Sequence, residues 1–277
     1  MNRALVVQNL KFVGELYCRR YVDAPDGWAR ENIEAHWWAA LRFFFDHTFM
    51  QNRRVETSER LTKLTVDTLD SRLHPSRDSK AAYQSLLTAV RENRLDSLLP
   101  PETAQGVDGY KSDAQLNNKR DRRMVREVLT YIVGEPEPRN IYDAITSHLR
   151  APGNHEQNLA ETSRFLRTFH GVGDKIAPFV IQDVALLNRK TNVIPQSLPA
   201  TAFRFAFPID TLIRQVASSL GCHGADEMDD EGIKDYFIAL ALENGLYPPL
   251  CAAALWYLAA NSTEVLIEHC IKVGTLG

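Results

Sequence analysis

The sequence predicts an all-α protein. Apolar residues recur three and four positions apart through most of the chain, and this spacing places them on one face of a helix. Proline and glycine interrupt these patterns repeatedly, whereas no alternating apolar and polar run is long enough for a strand. We therefore expect roughly ten helices or more, without an internal repeat.

Clear helix breakers divide the first half of the chain. Helices are predicted over residues 5–17, 37–49, 56–73 and 81–90, separated by Ala24-Pro25-Asp26-Gly27 and by His74-Pro75-Ser76. The segment 37–49 is apolar on more than one face, which predicts the central core helix. Residues 99–118 are polar and begin with two prolines, so we expect an exposed, mobile loop there.

The second half continues the helical pattern. Helices are predicted over residues 124–132, 141–149, 159–169, 175–187, 212–220, 233–242, 250–260 and 265–271. The polar segment 188–199 resembles an insertion. We divide the chain into an N-terminal helix at 1–35 that packs with the C-terminal helices, a central helical domain at 36–221, and C-terminal helices at 222–277.

Composition excludes several classes of protein. The 277 residues are 44% hydrophobic and 24% charged, and no run approaches the ~18 apolar residues that a membrane span needs. Without a leader-like N-terminus, we expect a cytoplasmic protein. We also expect a monomer. The four cysteines lie far apart and none has Cys-x-x-Cys spacing, so we expect no metal and no cofactor, including no iron–sulfur cluster.

Charge is segregated along the chain although the net charge is only −3. Residues 111–126 carry a local excess of four positive charges, whereas residues 226–231 are acidic. Within the basic segment, Arg120 and Arg123 are candidates for contact with DNA phosphates. A solvated helix face explains the same pattern equally well.

A glycine-rich turn between two predicted helices carries the most information. It reads Phe169-His170-Gly171-Val172-Gly173-Asp174-Lys175. Glycines allow a positive φ and keep side chains away from a ligand, and the N–H groups of Gly171, Val172 and Gly173 can then face an anion. Such a turn binds a phosphate backbone without reading sequence. An ordinary glycine cap between two helices is the alternative.

Asp210 follows the apolar run Phe205-Ala206-Phe207-Pro208-Ile209. A carboxylate in such surroundings loses hydration unless it caps a helix or takes part in chemistry. As an N-cap it would accept from an N–H near Ile213. The same fixed charge can stabilise an oxocarbenium-like sugar or activate water. Lys175 is a candidate nucleophile that would form a Schiff base at C1′, although an exposed lysine at a helix start is the commoner case.

These two segments resemble the helix-hairpin-helix superfamily of DNA glycosylases, typified by endonuclease III and the 8-oxoguanine glycosylases. The family has a Gly-Val-Gly-x-Lys hairpin followed by a Pro-x-Asp segment, which here read Gly171 to Lys175 and Pro208 to Asp210. The resemblance implies a two-lobed helical fold, with Asp210 as the essential carboxylate and Lys175 as the amine of a bifunctional glycosylase and lyase. It also implies that Gln51 fills the gap left by a flipped base.

Two departures from the family pattern define the branch. Lys175 and Asp210 are 35 positions apart (210 − 175), which is longer than usual, and residues 188–201 look like the inserted part. The four-cysteine motif of the endonuclease III-like members is missing. The chain therefore resembles a cluster-free branch.

Three further residues are candidates for a base pocket. Trp256 could stack on a flipped base, and His47 and Asp46 lie near the end of the predicted core helix. Core packing is the commoner role of a tryptophan in an apolar helix.

From the sequence we expect an enzyme that flips and excises a damaged or modified base from double-stranded DNA, with a possible lyase activity. Two alternatives stay open: a non-catalytic helix-hairpin-helix module that binds DNA, and an N-glycosidase that acts on modified nucleosides or nucleotides. The identity of the excised base stays open, as does the choice between DNA repair and defence against modified foreign DNA.

Overall fold

The computed structural model describes residues 3–23, 30–50, 55–102, 116, 118–225 and 227–261. Over these ranges the protein is all-helical and has no strand, which confirms the predicted class. The helices are α1 (Arg3–Tyr17), α2 (Arg30–Ala35), α3 (Trp37–Thr48), α4 (Val55–Leu73), α5 (Ser79–Arg91), α6 (Lys119–Ile132), α7 (Ile141–Leu149), α8 (His155–Leu166), α9 (Ile176–Leu187), α10 (Ala200–Phe203), α11 (Thr211–Ala217), α12 (Asp230–Glu243) and α13 (Pro248–Ala260). No helix among these is long and apolar enough to cross a membrane.

Two predicted boundaries around the glycine-rich turn were wrong. Helix α8 ends at Leu166 instead of Phe169, because the amides of Thr168 and Phe169 bond three residues back, to Phe165 and Leu166, in a tightened last turn. Helix α9 begins at Ile176, one residue later than predicted. The predicted turn 24–27, the helix 265–271 and most of the loop 99–118 lie outside the described residues.

The chain divides into two compact units. The first contains residues 1–26, 148–163 and 177–277. In it α1 and α11 pack against α13, as does α12. Gly14 allows the close approach of α1, since a Cβ there would lie 2.8 Å from the backbone oxygen of Leu250. Helix α13 is therefore the scaffold of this unit.

The second unit contains residues 27–147 and 164–176. Helix α3 packs against α2 and α4, and its Phe43, Phe44 and Phe45 are buried together with Phe49. This confirms that α3 is a core helix. The glycine-rich turn belongs to this unit, whereas Asp210 belongs to the first.

Candidate functional site

The two glycines of the turn between α8 and α9 differ in backbone conformation and in the space around them. Gly171 adopts a φ of 84°, in the left-handed region that favours glycine. Val172 is buried, and its amide donates to the carbonyl of Phe169 over 3.1 Å. Gly173 is exposed, and a Cβ there would meet nothing within 4 Å. The backbone therefore needs glycine at 171, while position 173 has space for a side chain.

An aromatic anchor fixes the start of the turn. The ring of Phe169 lies 5.4 Å from that of Phe44 in α3, 5.5 Å from Tyr131 in α6 and 5.6 Å from Phe165 in α8. These are edge-to-face arrangements, which aromatic pairs favour. The turn is consequently held on the core of its unit.

Two pairs of a carboxylate and an arginine lie at the turn. The amide of His170 donates to Oε2 of Glu127 over 2.6 Å, and Oε1 of Glu127 accepts from Nε of Arg123 over 2.8 Å. Asp174 pairs with Arg167 at 2.7 Å between Oδ1 and Nη2. Arg123, predicted to contact DNA, is thus linked to the turn through Glu127, and its side chain is 63% exposed.

Part of the predicted basic segment has a structural role. The buried Arg122 donates to the carbonyl of Pro100 over 2.6 Å and to Asp96 over 2.9 Å, and Arg126 also donates to Asp96. Burial alone would raise the pKa of Asp96, but the hydrogen bonds from Arg126 and Arg122 outweigh it and lower that pKa. Arg120 and Arg123 remain exposed. The candidates for phosphate contact are therefore on the outer face of α6.

Asp210 is the N-cap of α11, as predicted. Its backbone is extended, with φ −137° and ψ 176°, and Oδ1 accepts from the amide of Ile213 over 2.9 Å. The flanking Phe207 and Ile209 are buried, whereas Asp210 is half-buried. The cap therefore fixes a carboxylate at the end of a helix that packs against α13.

The acidic segment near α12 stabilises the region around α11. Arg214 of α11 donates to Asp230 over 2.9 Å and to the carbonyl of Met228 over 2.9 Å. Asp229 caps α12 by accepting from the amide of Gly232 over 2.8 Å. These acidic residues thus act as caps and ion-pair partners.

Trp256 lies in a group of aromatic residues in the first unit. Its ring is 6.0 Å from Tyr17, 5.9 Å from Tyr21 and 6.0 Å from Phe179. Beside this group, the Tyr17 hydroxyl donates to Oδ2 of Asp183 over 2.6 Å. Asp183 was not among the predicted site residues, although two adjacent polar residues inside the otherwise apolar sequence of α9 are a visible signal.

The other two candidates for a base pocket lie in α3. His47 is buried, its Nδ1 is 2.6 Å from the carbonyl oxygen of Phe43, and its ring is 4.3 Å from that of Phe43. Asp46 is half-buried, and burial raises its pKa to about 6, against the opposing effect of His47 and Arg42. Gln51 lies outside the described residues.

The thiols that the structure describes are buried. Cys18, Cys222 and Cys251 are free, and burial raises the pKa of both Cys18 and Cys251 to about 12. They are therefore poor thiolate nucleophiles. Over the described ranges, no group of three or more His, Cys, Asp and Glu residues is arranged to hold a metal ion.

No family model, curated protein or solved structure matches the chain.

Proposed function

We propose that this protein is a DNA N-glycosylase of the helix-hairpin-helix type, which flips a damaged or modified base out of duplex DNA and excises it. The observation that carries the proposal is the turn at Gly171, in its left-handed conformation, four residues before Lys175 and followed along the chain by a carboxylate fixed as a helix cap. The charge of Asp210 and the amine of Lys175 are the reactive groups.

Asp210 supports cleavage of the bond between the base and C1′. As that bond breaks, its electron pair leaves with the base, and positive charge develops on the sugar. A carboxylate held by the Ile213 amide needs little reorganisation to stabilise this charge. In a monofunctional reaction it also takes a proton from the attacking water, and the hydroxyl adds to C1′.

Lys175 supports the lyase reaction. Its amine attacks C1′, the base leaves with the bonding electrons, and loss of the amine proton and opening of the sugar ring give a Schiff base. Removal of a C2′ proton then expels the 3′-phosphate by β-elimination. Lys175 is half-buried and directly precedes α9.

The turn and the outer face of α6 supply the contacts to DNA. The amides of Gly171 and Gly173 face the phosphate backbone, because those of His170 and Val172 donate to Glu127 and to the carbonyl of Phe169. The exposed Arg120 and Arg123 of α6 add cations. These contacts carry no base information, so they fix the position of the duplex while another region chooses the base.

An N-glycosidase for modified nucleosides or nucleotides is the second candidate. The pairing of Arg122, Arg123 and Arg126 with carboxylates favours it, because paired arginines add less to the attraction of a polyanion than unpaired ones do. A substrate of this kind would need few phosphate contacts.

A panel of duplexes with different damaged or modified bases tests the proposal. Each is incubated with the protein and scored for abasic sites, with and without alkali, beside the matching free nucleosides. We expect base release from at least one duplex, and borohydride should trap an adduct that Lys175→Gln loses if the enzyme is bifunctional. Release from nucleosides alone would favour the second candidate. Duplex binding without release would identify a non-catalytic module.

A further inference from the structure

Met228 is an exposed apolar side chain in the segment between α11 and α12. Among the described residues, only Leu5 and Met228 are large apolar side chains that are exposed, and Met228 is 37% exposed. Of the other methionines that the structure describes, Met124 is buried and Met50 is half-buried. Of these three thioethers, that of Met228 is therefore the one that a dissolved oxidant reaches most easily.

The side chain of Met228 packs on the first turn of α12. A Cβ at Gly232 would lie 3.6 Å from Cβ and 3.7 Å from Cγ of Met228, so these two carbons lie beside that glycine. Asp229, the N-cap of α12, accepts from the Gly232 amide over 2.8 Å. Met228 directly precedes this cap, at a position where an apolar residue commonly fixes the entry of the chain into a helix.

The sulfur of Met228 also has a partner in the interior. The thiol of Cys222, which is 0% exposed, donates to Sδ of Met228 over 3.7 Å. Burial raises the pKa of Cys222, so the thiol stays a donor and supplies little of the thiolate that could reduce an oxidised neighbour. The thioether thus lies between water on one side and a buried thiol on the other.

The backbone of Met228 holds α11. Nη1 of Arg214 donates to the carbonyl oxygen of Met228 over 2.9 Å, and Nε of Arg214 donates to Oδ1 of Asp230 over 2.9 Å. The amide of Arg214 donates to the carbonyl of Asp210 over 3.0 Å, in the first turn of α11. One arginine therefore ties the segment that carries Met228 to the helix that Asp210 caps.

We propose that Met228 is a site of reversible oxidation by peroxides, and that its sulfoxide loosens the attachment of this segment to α11. A lone pair of Sδ attacks one oxygen of hydrogen peroxide and the O–O bond breaks. The hydroxide that leaves takes the proton of the transferred hydroxyl group, which gives methionine sulfoxide and water. The sulfoxide is polar, so the side chain should leave Gly232 and Cys222 for water. An effect on base excision rests on the proposed function, because it acts through Asp210.

Limited oxidation with hydrogen peroxide tests the site. Peptide mapping by mass spectrometry should find the sulfoxide at Met228 before Met50 or Met124. The oxidised protein should unfold at a temperature roughly 2–4 °C lower, and a methionine sulfoxide reductase should restore the midpoint. Met228→Leu keeps an apolar side chain of similar volume and should resist this loss, whereas the matched control Met50→Leu should show it in full. Met228→Gln should have the lower midpoint without peroxide.

Oxidation of Met50 before Met228, an unchanged midpoint after Met228 is oxidised, or an equal fall in Met228→Leu would overturn the site. Base release from the best duplex of the panel is a separate readout. A lower rate in oxidised wild type, but not in oxidised Met228→Leu, would support the loosening at α11, and an unchanged rate at a lowered midpoint would contradict it. If no duplex is cut, the glycosylase proposal fails, while the melting data still decide the oxidation site.

Discussion

Glu127 and Asp183 both accept hydrogen bonds from groups of this protein, but Glu127 lies at the surface and Asp183 lies in the interior. Glu127 accepts from the backbone amide of His170 and pairs with Arg123. The side chain of Glu127 is 30% exposed and that of Arg123 is 63% exposed. Asp183 holds Tyr17 and Gln182 in the interior, at 2% exposure. Salt and water therefore screen the charge interactions of Glu127 but not those of Asp183.

The contrast corresponds to two tasks that the proposed glycosylase would have to perform. Exposed, screened charges suit contacts with phosphates, which are the same at every nucleotide. Buried polar atoms suit discrimination between bases, because an unsatisfied group there costs far more than at the surface. Mutations around Asp183 should therefore change stability, and those around Glu127 should change the affinity for DNA and its salt dependence.

The largest effect on stability is expected at Tyr17. Tyr17→Phe removes the hydroxyl that donates to Oδ2 of the buried Asp183 carboxylate, so the free energy of unfolding should fall by about 1.5–3 kcal/mol in chemical denaturation. The control Tyr83→Phe removes a buried hydroxyl that donates to the neutral carbonyl of Gly134, and should cost only about 0.5–1.5 kcal/mol. Equal losses in the two variants would contradict the buried ionic character of the Tyr17 pair.

Asp46 extends the comparison to a partly buried carboxyl with a pKa raised from 3.8 to about 6. Because the folded pKa exceeds the unfolded one, the stabilising effect of protonation is present below pH 3.8 and is lost as pH rises through about 6. Asp46→Asn should therefore raise the free energy of unfolding by about 1–3 kcal/mol near pH 8 and change it little near pH 4. A pH-independent difference would contradict this interpretation.

Alanine substitutions at the two glycines of the turn test its proposed binding of phosphate. Gly171→Ala forces a side chain into the left-handed region and should cost about 1–2 kcal/mol of stability, with weaker binding to all duplexes alike. Gly173→Ala has space for its Cβ and should leave stability nearly unchanged. A change of base preference at unchanged affinity in either variant would contradict a phosphate role, as measured by titration with matched duplexes.

The smallest effect is expected at Glu127. Glu127→Gln keeps an oxygen for the His170 amide but removes the charge beside Arg123, so duplex affinity should rise a few-fold, with a steeper salt dependence. The control Glu92→Gln, at the C-cap of α5, also removes a carboxylate that pairs with an arginine, Arg94. An equal gain in the control would show a general effect of net charge.

The sequence predicted the elements whose signal is local. The cap at Asp210 was predicted because a carboxylate after an apolar run loses hydration unless it caps a helix or takes part in chemistry. Helix α3 was predicted as a core helix because it is apolar on several faces. Partners distant in the chain could not be predicted. The pairing of Arg122 with Asp96, and of Tyr17 with Asp183, depends on tertiary contacts that local periodicity does not encode.

The end of α8 shows the same limit at one residue. Phe169 continues the apolar spacing of α8 and its ring packs against Phe44 and Tyr131, yet it lies beyond the helix. The amides of Thr168 and Phe169 bond three residues back, so the helix ends three residues before the boundary that the apolar pattern predicts.

The most direct test compares two aspartates that both cap helices. Asp210 caps α11 and Asp229 caps α12, with hydrogen bonds of 2.9 and 2.8 Å to backbone amides. On the best duplex of the panel, Asp210→Asn should lower the single-turnover rate of base release by about 10²–10³ while duplex binding persists. Asp229→Asn loses the same charge, and its amide oxygen can still cap the helix, so this variant should keep its rate. Undiminished base release by Asp210→Asn, or an equal loss in both variants, would contradict the proposal that the Asp210 carboxylate takes part in the chemistry.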